Sequence, residues 1–159
     1  MGILFWIIFV VAILLAISII NGAPYVPTPR KQVETALAFA QLKKGDKLVD
    51  LGSGDGAVLV QAARKGIDAT GYEINPVLWL ISTLRLLPYR KIARVKLASF
   101  WSQPLNEYDV VFVFLIGHHM HRLDKKLSTE LKGARVVSHA FQIPGRKSKQ
   151  KDGLFLYTY

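Results

Sequence analysis

Residues 48–56 read Leu-Val-Asp-Leu-Gly-Ser-Gly-Asp-Gly, and this stretch decides the fold. The apolar residues up to Leu51 predict a short strand, and the residues from Gly56 onward predict a helix. Glycine has no Cβ, so the loop between them can adopt positive φ and approach a ligand closely. A strand, a glycine-rich loop and a helix in this order bind nucleotides in open α/β sheets. We therefore expect a nucleotide-like cofactor on this loop.

The alternation of strands and helices continues through the chain. The predicted strands cover residues 47–51, 69–74, 94–100, 109–115, 135–141 and 154–159, and the predicted helices cover residues 29–42, 56–65, 76–87 and 118–131. Residues 145–153 are predicted to be a polar, basic loop. This order predicts an α/β fold with a mostly parallel, Rossmann-like sheet and helices on both faces. The apolar helix 76–87 is predicted to be buried on the sheet, with a membrane-facing edge as the alternative.

The spacing of the glycines indicates the kind of cofactor. The dinucleotide fingerprint is Gly-x-Gly-x-x-Gly, whereas here the third glycine, Gly56, comes one residue early. The carboxylates of Asp50 and Asp55 would repel a pyrophosphate but attract a cationic ligand. Glu73 ends the second strand about 20 residues further on, where an acidic residue holds ribose hydroxyls. These features favour S-adenosylmethionine, which carries an ammonium and a sulfonium, over NAD.

The N-terminal segment, residues 3–20, contains no charged side chain. As a helix it would be roughly 27 Å long, close to the hydrocarbon core of a bilayer, which is about 30 Å thick. No Lys or Arg precedes it, and it is longer than the apolar part of a signal peptide, so an uncleaved membrane anchor is favoured over a signal peptide. The first charges after it are Arg30 and Lys31. They predict a single-pass membrane protein whose domain faces the cytoplasm.

The predicted organisation therefore has three parts. Residues 1–22 form the transmembrane anchor, which makes the bilayer a partner through residues 3–20. Residues 23–30 form a linker that is extended because its prolines lack an N–H and restrict their neighbours. Residues 31–159 form the cofactor-binding domain and are numerous enough to bury a core of their own.

The composition narrows the classes of site and partner. The chain has 21 Lys and Arg against 11 Asp and Glu, a formal net charge of +10. This balance suits an anionic membrane surface or nucleic acid. Because of the anchor, we interpret the positive charge first as a surface for lipid headgroups, and nucleic acid is not favoured as the partner. An ordinary basic surface that contacts only solvent has comparable weight. The absence of cysteine excludes disulfides, thiolate catalysis and cysteine-based zinc sites.

Four features of the sequence resemble a known family. They are the N-terminal apolar segment, Pro-Tyr-Val-Pro-Thr-Pro at 24–29, the glycine-rich stretch followed by Gly-Tyr-Glu-Ile-Asn-Pro at 71–76, and the late segment 123–144. The glycine-rich stretch is typical of class I, seven-strand methyltransferases. The whole set is similar to the membrane-anchored lysine methyltransferases that act on the adenine nucleotide translocase and the ATP synthase c-subunit, with their small bacterial relatives. The resemblance implies a lysine N-methyltransferase that uses S-adenosylmethionine.

The resemblance also implies a set of cofactor-binding residues. By position, the glycines and Asp50 line the methionine end and Glu73 holds the ribose. The family tends to have Asp-Leu-Trp, and its Asp helps to bind the adenine amino group; Ser99 stands there in this chain and lacks the charge. The two aromatic residues after it either flank the adenine ring or pack in the core. The implied residues are Asp50, Gly52, Ser53, Gly54, Asp55, Gly56, Glu73, Ile74, Asn75, Ser99, Phe100 and Trp101.

Three histidines follow the fourth predicted strand, at the edge of the sheet where ligands bind. A metal site is disfavoured, because on a helix only His118 and His121 share a face and Asp124 is the one carboxylate close by. A role for His118 or His119 in a substrate channel is the catalytic hypothesis, since histidine titrates near neutrality. Surface or capping roles remain the alternative. His139 is interpreted as a residue near a strand end.

Several functions agree with these features. The first hypothesis is a membrane-tethered methyltransferase that modifies lysine on a membrane-associated protein, because a tether raises the effective concentration of such substrates. The alternatives are a methyltransferase of a lipid, quinone or other small molecule, and a non-catalytic membrane-bound scaffold. Methylation of RNA suits the charge but not the anchor.

Overall fold

A computed structural model of the protein describes residues 2–6, 8–9 and 26–159. The helices of the domain are α1 (Arg30–Phe39), α2 (Ala57–Arg64), α3 (Pro76–Leu86) and α4 (Met120–Glu130). The strands are β1 (Lys47–Leu51), β2 (Asp68–Glu73), β3 (Ala93–Leu97), β4 (Val110–Val113), β5 (Arg135–His139), β6 (Lys149–Lys151) and β7 (Leu154–Thr158). Short 3₁₀ turns lie at Leu87–Tyr89, Phe100–Ser102 and Gly117–His119.

The seven strands form one sheet in the order β3-β2-β1-β4-β5-β7-β6. Strands β1 to β5 are mutually parallel, whereas β7 is antiparallel to both β5 and β6. The predicted mostly parallel α/β sheet is therefore confirmed. The chain order reverses beside β1, between its neighbours β2 and β4. In open α/β sheets such a switch point opens a crevice at the carboxyl ends of the strands.

The two faces of the sheet bury separate apolar clusters. Helices α1, α2 and α3 pack on one face and α4 on the other. Strand β1 contributes to both, with Leu48 in the first cluster and Val49 and Leu51 in the second, because successive side chains of a strand point to opposite faces. The glycine-rich loop thus leaves a strand that is packed on both sides, which fixes its position.

Several predicted boundaries were wrong by a few residues. The third strand ends at Leu97, because the chain then turns into the 3₁₀ turn at Phe100–Ser102. The fourth helix begins at Met120, after a second such turn. The predicted loop 145–153 contains strand β6, which pairs antiparallel with β7.

No helix within residues 2–6, 8–9 and 26–159 is long and apolar enough to cross a membrane. The predicted anchor, residues 3–20, and the first half of the predicted linker lie mostly outside the described residues. The anchor therefore remains a prediction from the sequence.

Candidate cofactor-binding and active site

Hydrogen bonds fix the glycine-rich loop to the end of β2. The N–H groups of Gly52 and Ser53 both donate to the carbonyl oxygen of Tyr72, at 2.9 and 3.0 Å. Gly52, Gly54 and Gly56 have φ values of 85°, 54° and 80°, which L side chains rarely adopt. A Cβ on Gly52 would meet no described atom within 4 Å, so the space above this residue is open. The loop therefore offers a bare backbone to a ligand, as expected from its sequence.

The Glu73 carboxylate lies beside this open space and is held from two sides. Its Oε2 accepts a hydrogen bond from the Gly54 N–H and its Oε1 accepts one from the Asn75 N–H, both at 2.7 Å. The side chain is buried, with 6% of its surface exposed. Each carboxylate oxygen has a second lone pair, so the group can still accept hydrogen bonds from two ribose hydroxyls. The geometry fits the ribose assignment.

The residues after Glu73 begin helix α3. The Asn75 side chain accepts hydrogen bonds from the N–H groups of Val77 and Leu78, at 2.8 and 3.3 Å, and so caps the helix. Ile74, between the two polar residues, is 42% exposed. The structure thus places Asn75 in a structural role and leaves Ile74 as an apolar side chain free to cover a bound ligand.

The two aspartates of the loop have different surroundings. Asp50 is buried, and burial followed by the nearby charges of Glu73 and Asp55 raises its pKa well above the ordinary value. Asp55 instead forms an ion pair with Arg85 of α3, and its Oδ1 accepts the Ala57 N–H at the start of α2. Asp55 therefore mainly joins two helices, whereas Asp50 is a buried carboxyl group whose ionised form a cationic ligand would stabilise.

Ser99, Phe100 and Trp101 follow β3 at the same edge of the sheet. The Ala98 N–H donates to the carbonyl of Glu73 at 3.0 Å, so Ser99 lies one residue beyond the ribose position. Phe100 is buried in the second core cluster, with its ring centroid 4.5 Å from that of Trp101. This favours core packing for Phe100. Trp101 is half-buried and contacts α4, with the Arg122 guanidinium 4.1 Å above its ring.

The histidines occupy the 3₁₀ turn before α4. His118 is exposed, and its ring centroid lies 3.8 Å from that of His119. Burial, followed by the neighbouring His118 and Arg122, lowers the pKa of His119, so this residue is neutral near pH 7. Its ring lies 6.0 Å from that of Trp101. Within the described residues, no group of three or more His, Asp or Glu side chains is arranged to hold a metal ion.

Two aromatic side chains, Phe114 and His139, lie together at the ends of β4 and β5, and the sequence indicated only that His139 is near a strand end. The His139 ring lies 4.3 Å from that of Phe114, and only 8% of the residue is exposed. Its Nδ1 is buried without a hydrogen-bond partner among the described residues, and burial lowers its pKa. Phe141 lies over Gly117 at the same edge. Phe114 packs against the first core cluster and Phe141 against the second, so we name only Phe114 and His139 the aromatic recess.

Strand register places the aromatic recess near the cofactor loop. Leu51, which precedes the loop, is paired with Val113, and Val113 is paired with Ser138. Gly52, Phe114 and His139 come next on these three adjacent strands, just beyond the last pairs and at the same edge of the sheet. The sequence did indicate that Ser138-His139 ends a buried apolar strand at the edge where ligands bind. That this end lies near the glycine-rich loop depends on the order of the strands in the sheet, which the sequence pattern does not show.

Comparison with known proteins decides the family of this domain. Residues 50–150, which include the glycine-rich loop, Glu73 and the aromatic recess, match the ANTKMT methyltransferase domain. The chain belongs to this family. The predicted family relationship is thereby confirmed for the domain.

Relatives of this methyltransferase domain cover most of its length. A protein-lysine N-methyltransferase of Saccharolobus islandicus (strain REY15A) is 35% identical over 138 residues, which are 84% of this chain and 86% of that protein. The human lysine N-methyltransferase of the ATP synthase c-subunit is 36% identical over 126 residues, which are 76% of this chain. Those residues are 53% of the human protein, so the chain spans about half the length of that relative.

Among solved structures, an RNA methyltransferase from Salinibacter ruber in complex with S-adenosyl-L-homocysteine is similar to this domain. Its TM-score is 0.78 and its sequence identity 28%, and the match covers 84% of this chain and 93% of that one. S-adenosyl-L-homocysteine is S-adenosylmethionine without its transferable methyl group. Together with the family, this structure confirms S-adenosylmethionine as the cofactor of the methyltransferase domain. The open space above Gly52, the free lone pairs of Glu73 and the buried Asp50 carboxylate fit such a ligand.

Replacing Asp50 by Asn is expected to stabilise the cofactor-free domain but weaken cofactor binding. The folded pKa of Asp50 lies above its unfolded value, so between these two values the unfolded chain releases a proton that the folded domain retains, and stability falls as the pH rises through this range. Asp50→Asn should raise Tm by several degrees at pH 7.5 and leave it nearly unchanged at a pH below the ordinary Asp pKa.

The affinity of Asp50→Asn for S-adenosylmethionine should fall about 10-fold or more, because a charge-assisted hydrogen bond contributes about 1.5–3 kcal/mol. Thermal melts at both pH values and calorimetric titration would measure the two effects. Asp152→Asn, on an exposed turn, is the matched control and should change neither. A lower Tm for Asp50→Asn at pH 7.5 would contradict the assignment.

Proposed function

We propose that this domain transfers a methyl group from S-adenosylmethionine to a lysine side chain of a membrane-associated protein. The observation that carries the proposal is the family match over the residues that form the site. It is supported by two relatives that modify protein lysine, of which the Saccharolobus protein is matched over most of its length. The uncharged segment 3–20 of this chain favours a substrate at the membrane.

The aromatic recess suits a lysine side chain. When bound, the cofactor supplies an electrophilic methyl group on a sulfonium. A lysine must reach it as a neutral amine, although its ordinary pKa is about 10.4. The apolar ring of Phe114 beside His139 disfavours the charged form by desolvation. His139 is neutral near pH 7, so its unpartnered Nδ1 can accept a hydrogen bond from the amine and hold its lone pair towards the cofactor.

The membrane tether is the second part of the proposal. The uncharged segment 3–20 is long enough to span a bilayer, and Arg30 and Lys31 after it favour a cytoplasmic domain. Tethering converts the encounter with a membrane protein into a local one, which raises the effective concentration of its lysines. This arrangement favours membrane-associated substrates over those that are free in solution.

Intact-mass comparison of membrane proteins from wild-type and deletion cells would test the function. We expect one protein to lose the mass of one, two or three CH₂ groups in the deletion strain. The wild-type gene should restore that mass, and a Glu73→Ala gene should not. Unchanged protein masses together with an altered lipid or quinone would instead support the small-molecule alternative.

Methylation of RNA is the second candidate, because the similar Salinibacter structure is an RNA methyltransferase and the chain has a net charge of +10. The protein can be incubated with a radiolabelled methyl donor and either membranes or total RNA from the deletion strain. Label in a membrane protein and none in RNA is the result expected for the first proposal. Label in RNA alone would overturn it.

A further inference from the structure

We propose that the outer face of helix α3 rests on an anionic lipid surface. Four large apolar side chains on this face are exposed rather than buried, and we name them the α3 ridge. They are Leu80, Ile81, Leu84 and Leu87, with 51%, 41%, 57% and 56% of their surfaces exposed. Contiguous exposed apolar surface on a folded domain marks a site of interaction with protein or membrane.

The α3 ridge is one continuous stripe. Leu80, Leu84 and Leu87 are spaced by four and three residues, so they lie on the same side of the helix over about 10 Å of its length. Ser82 and Leu86, on the other side, are buried against the domain. The prediction that the whole helix is buried is therefore right for Leu86 and wrong for the ridge. Helix α3 lies over the edge strand β3, and the apolar residues Phe100, Leu105 and Tyr108, which follow that strand, pack in the cluster on the other face of the sheet.

The charge around the ridge favours an anionic bilayer. Between Glu73 and Glu107 the sequence contains no Asp or Glu. The cations of this stretch are Arg85, Arg90, Lys91, Arg94 and Lys96, of which Arg85 forms an ion pair with Asp55 and Arg94 with Asp68. Arg90 and Lys91 follow the last residue of the ridge, Leu87, by three and four positions and are both exposed. Apolar side chains bordered by cations are the composition of surfaces that lie in the bilayer interface.

Two other partners for the α3 ridge, a second copy of the chain and the segment 3–20, account for less of its apolar and charged surface. In a symmetric pair of chains the same patch meets itself, so Arg90 and Lys91 would approach their own copies. Like charges in contact are unfavourable. The uncharged segment 3–20 of this chain could cover the leucines but would offer no partner to the cations. A bilayer with anionic headgroups provides both an apolar layer and negative charge.

Docking of the ridge would orient the cofactor site. Helix α3 begins directly after Glu73 and Asn75, so its outer face and the mouth of the site are joined through a single rigid element. The catalytic domain would then face the membrane surface in one orientation rather than rotate freely on its linker. This consequence rests on the proposed function, whereas the contact with lipid does not.

The absence of native cysteine allows a direct test in the full chain. Leu84→Cys carries a nitroxide label, and Thr129→Cys on the exposed side of α4 is the matched control. The labelled chains are reconstituted in phosphatidylcholine vesicles with or without phosphatidylglycerol, and accessibility to oxygen and to a polar nickel chelate is measured. We expect the label at 84 to become accessible to oxygen and protected from nickel when phosphatidylglycerol is present, and the label at 129 to stay in water.

Two results would overturn the proposal. A label at 84 that stays in water with anionic vesicles would exclude lipid contact. A label that is shielded from both reagents, with or without vesicles, would show that protein covers the ridge. Ile81→Cys is the second position if Leu84→Cys disturbs the fold, and binding of S-adenosyl-L-homocysteine checks that each variant is folded.

Removal of one cation should shift the docking equilibrium. Arg90→Ala is expected to lower the ratio of docked to undocked domain about fivefold on anionic vesicles, whereas Lys132→Ala, an exposed control away from α3, should not. An equal effect of both variants would contradict a specific contact.

Resistance of the chain to alkaline extraction from vesicles reports the N-terminal anchor separately. An anchored, active chain with a water-exposed ridge would thus defeat this inference and leave the proposed function intact.

Discussion

Glu73→Ala is expected to lower the affinity for S-adenosylmethionine about 100-fold or more. In the folded domain this carboxylate holds the Gly54 and Asn75 N–H groups and keeps lone pairs free for two ribose hydroxyls. A hydrogen bond to a charged group contributes about 1.5–3 kcal/mol, so the loss of two accounts for an effect of this size. Calorimetric titration of the wild type and the variant would measure it.

Two further variants separate the ribose role from a general effect of charge. Glu107→Ala removes an exposed carboxylate that pairs with Lys47, and it should leave the affinity unchanged. Glu73→Gln keeps the size of the side chain but turns an NH₂ group towards one of the backbone N–H donors. It should bind the cofactor weakly as well. An unchanged affinity for a folded Glu73→Ala protein would refute the ribose assignment.

The conformation of the glycine-rich loop was predictable because its causes are local in the sequence. Gly52, Gly54 and Gly56 each have the positive φ that glycine permits, and Glu73 ends the very next strand. The unit of strand, loop, helix and strand is therefore encoded within one short stretch. The spacing of the third glycine also indicated a cofactor other than a dinucleotide, and the family match and the related structure confirm that distinction.

Features that depend on distant residues were not predictable from the pattern. Asp55 looked like a ligand-facing charge, but Arg85, from a different helix, pairs with it. The aromatic recess exists because β4 and β5 are neighbours in the sheet. Strand β6 consists of exposed polar residues, so no apolar alternation marked it, and only its pairing with β7 makes it a strand.

The error in helix α3 has a different cause. Apolar residues occur nearly all around this helix, and a pattern of that kind predicts burial on every side. Periodicity describes the helix alone and does not show whether a second element exists to cover its outer face. The exposed Leu84 and Leu87 are informative for that reason, since they indicate a partner outside the folded domain.

Gly71→Ala is expected to destabilise the domain by about 1–3 kcal/mol, the usual cost of adding a methyl group to a packed interior. A Cβ on Gly71 would lie 2.5 Å from the Oγ and 2.6 Å from the Cβ of Ser53, and 2.6 Å from Cδ1 of Leu59. The end of the Leu59 side chain can move, but Ser53 belongs to the cofactor loop. The loop must therefore shift, and Tm should fall by about 4–10 °C while cofactor affinity falls with it.

A matched glycine and a compensating change test this cause. Gly117→Ala should leave Tm nearly unchanged, because the added Cβ would have its nearest neighbour, Phe141, at 3.7 Å. Ser53→Gly in the Gly71→Ala background removes both serine atoms from the collision. The double variant should therefore recover stability, with a coupling of about 0.5–3 kcal/mol between the two positions, and should recover cofactor affinity as well. Strictly additive losses would mean that the contact between β2 and the loop does not position the site. Recovery of both properties together would show that the packing behind the loop is what holds its backbone open to the cofactor.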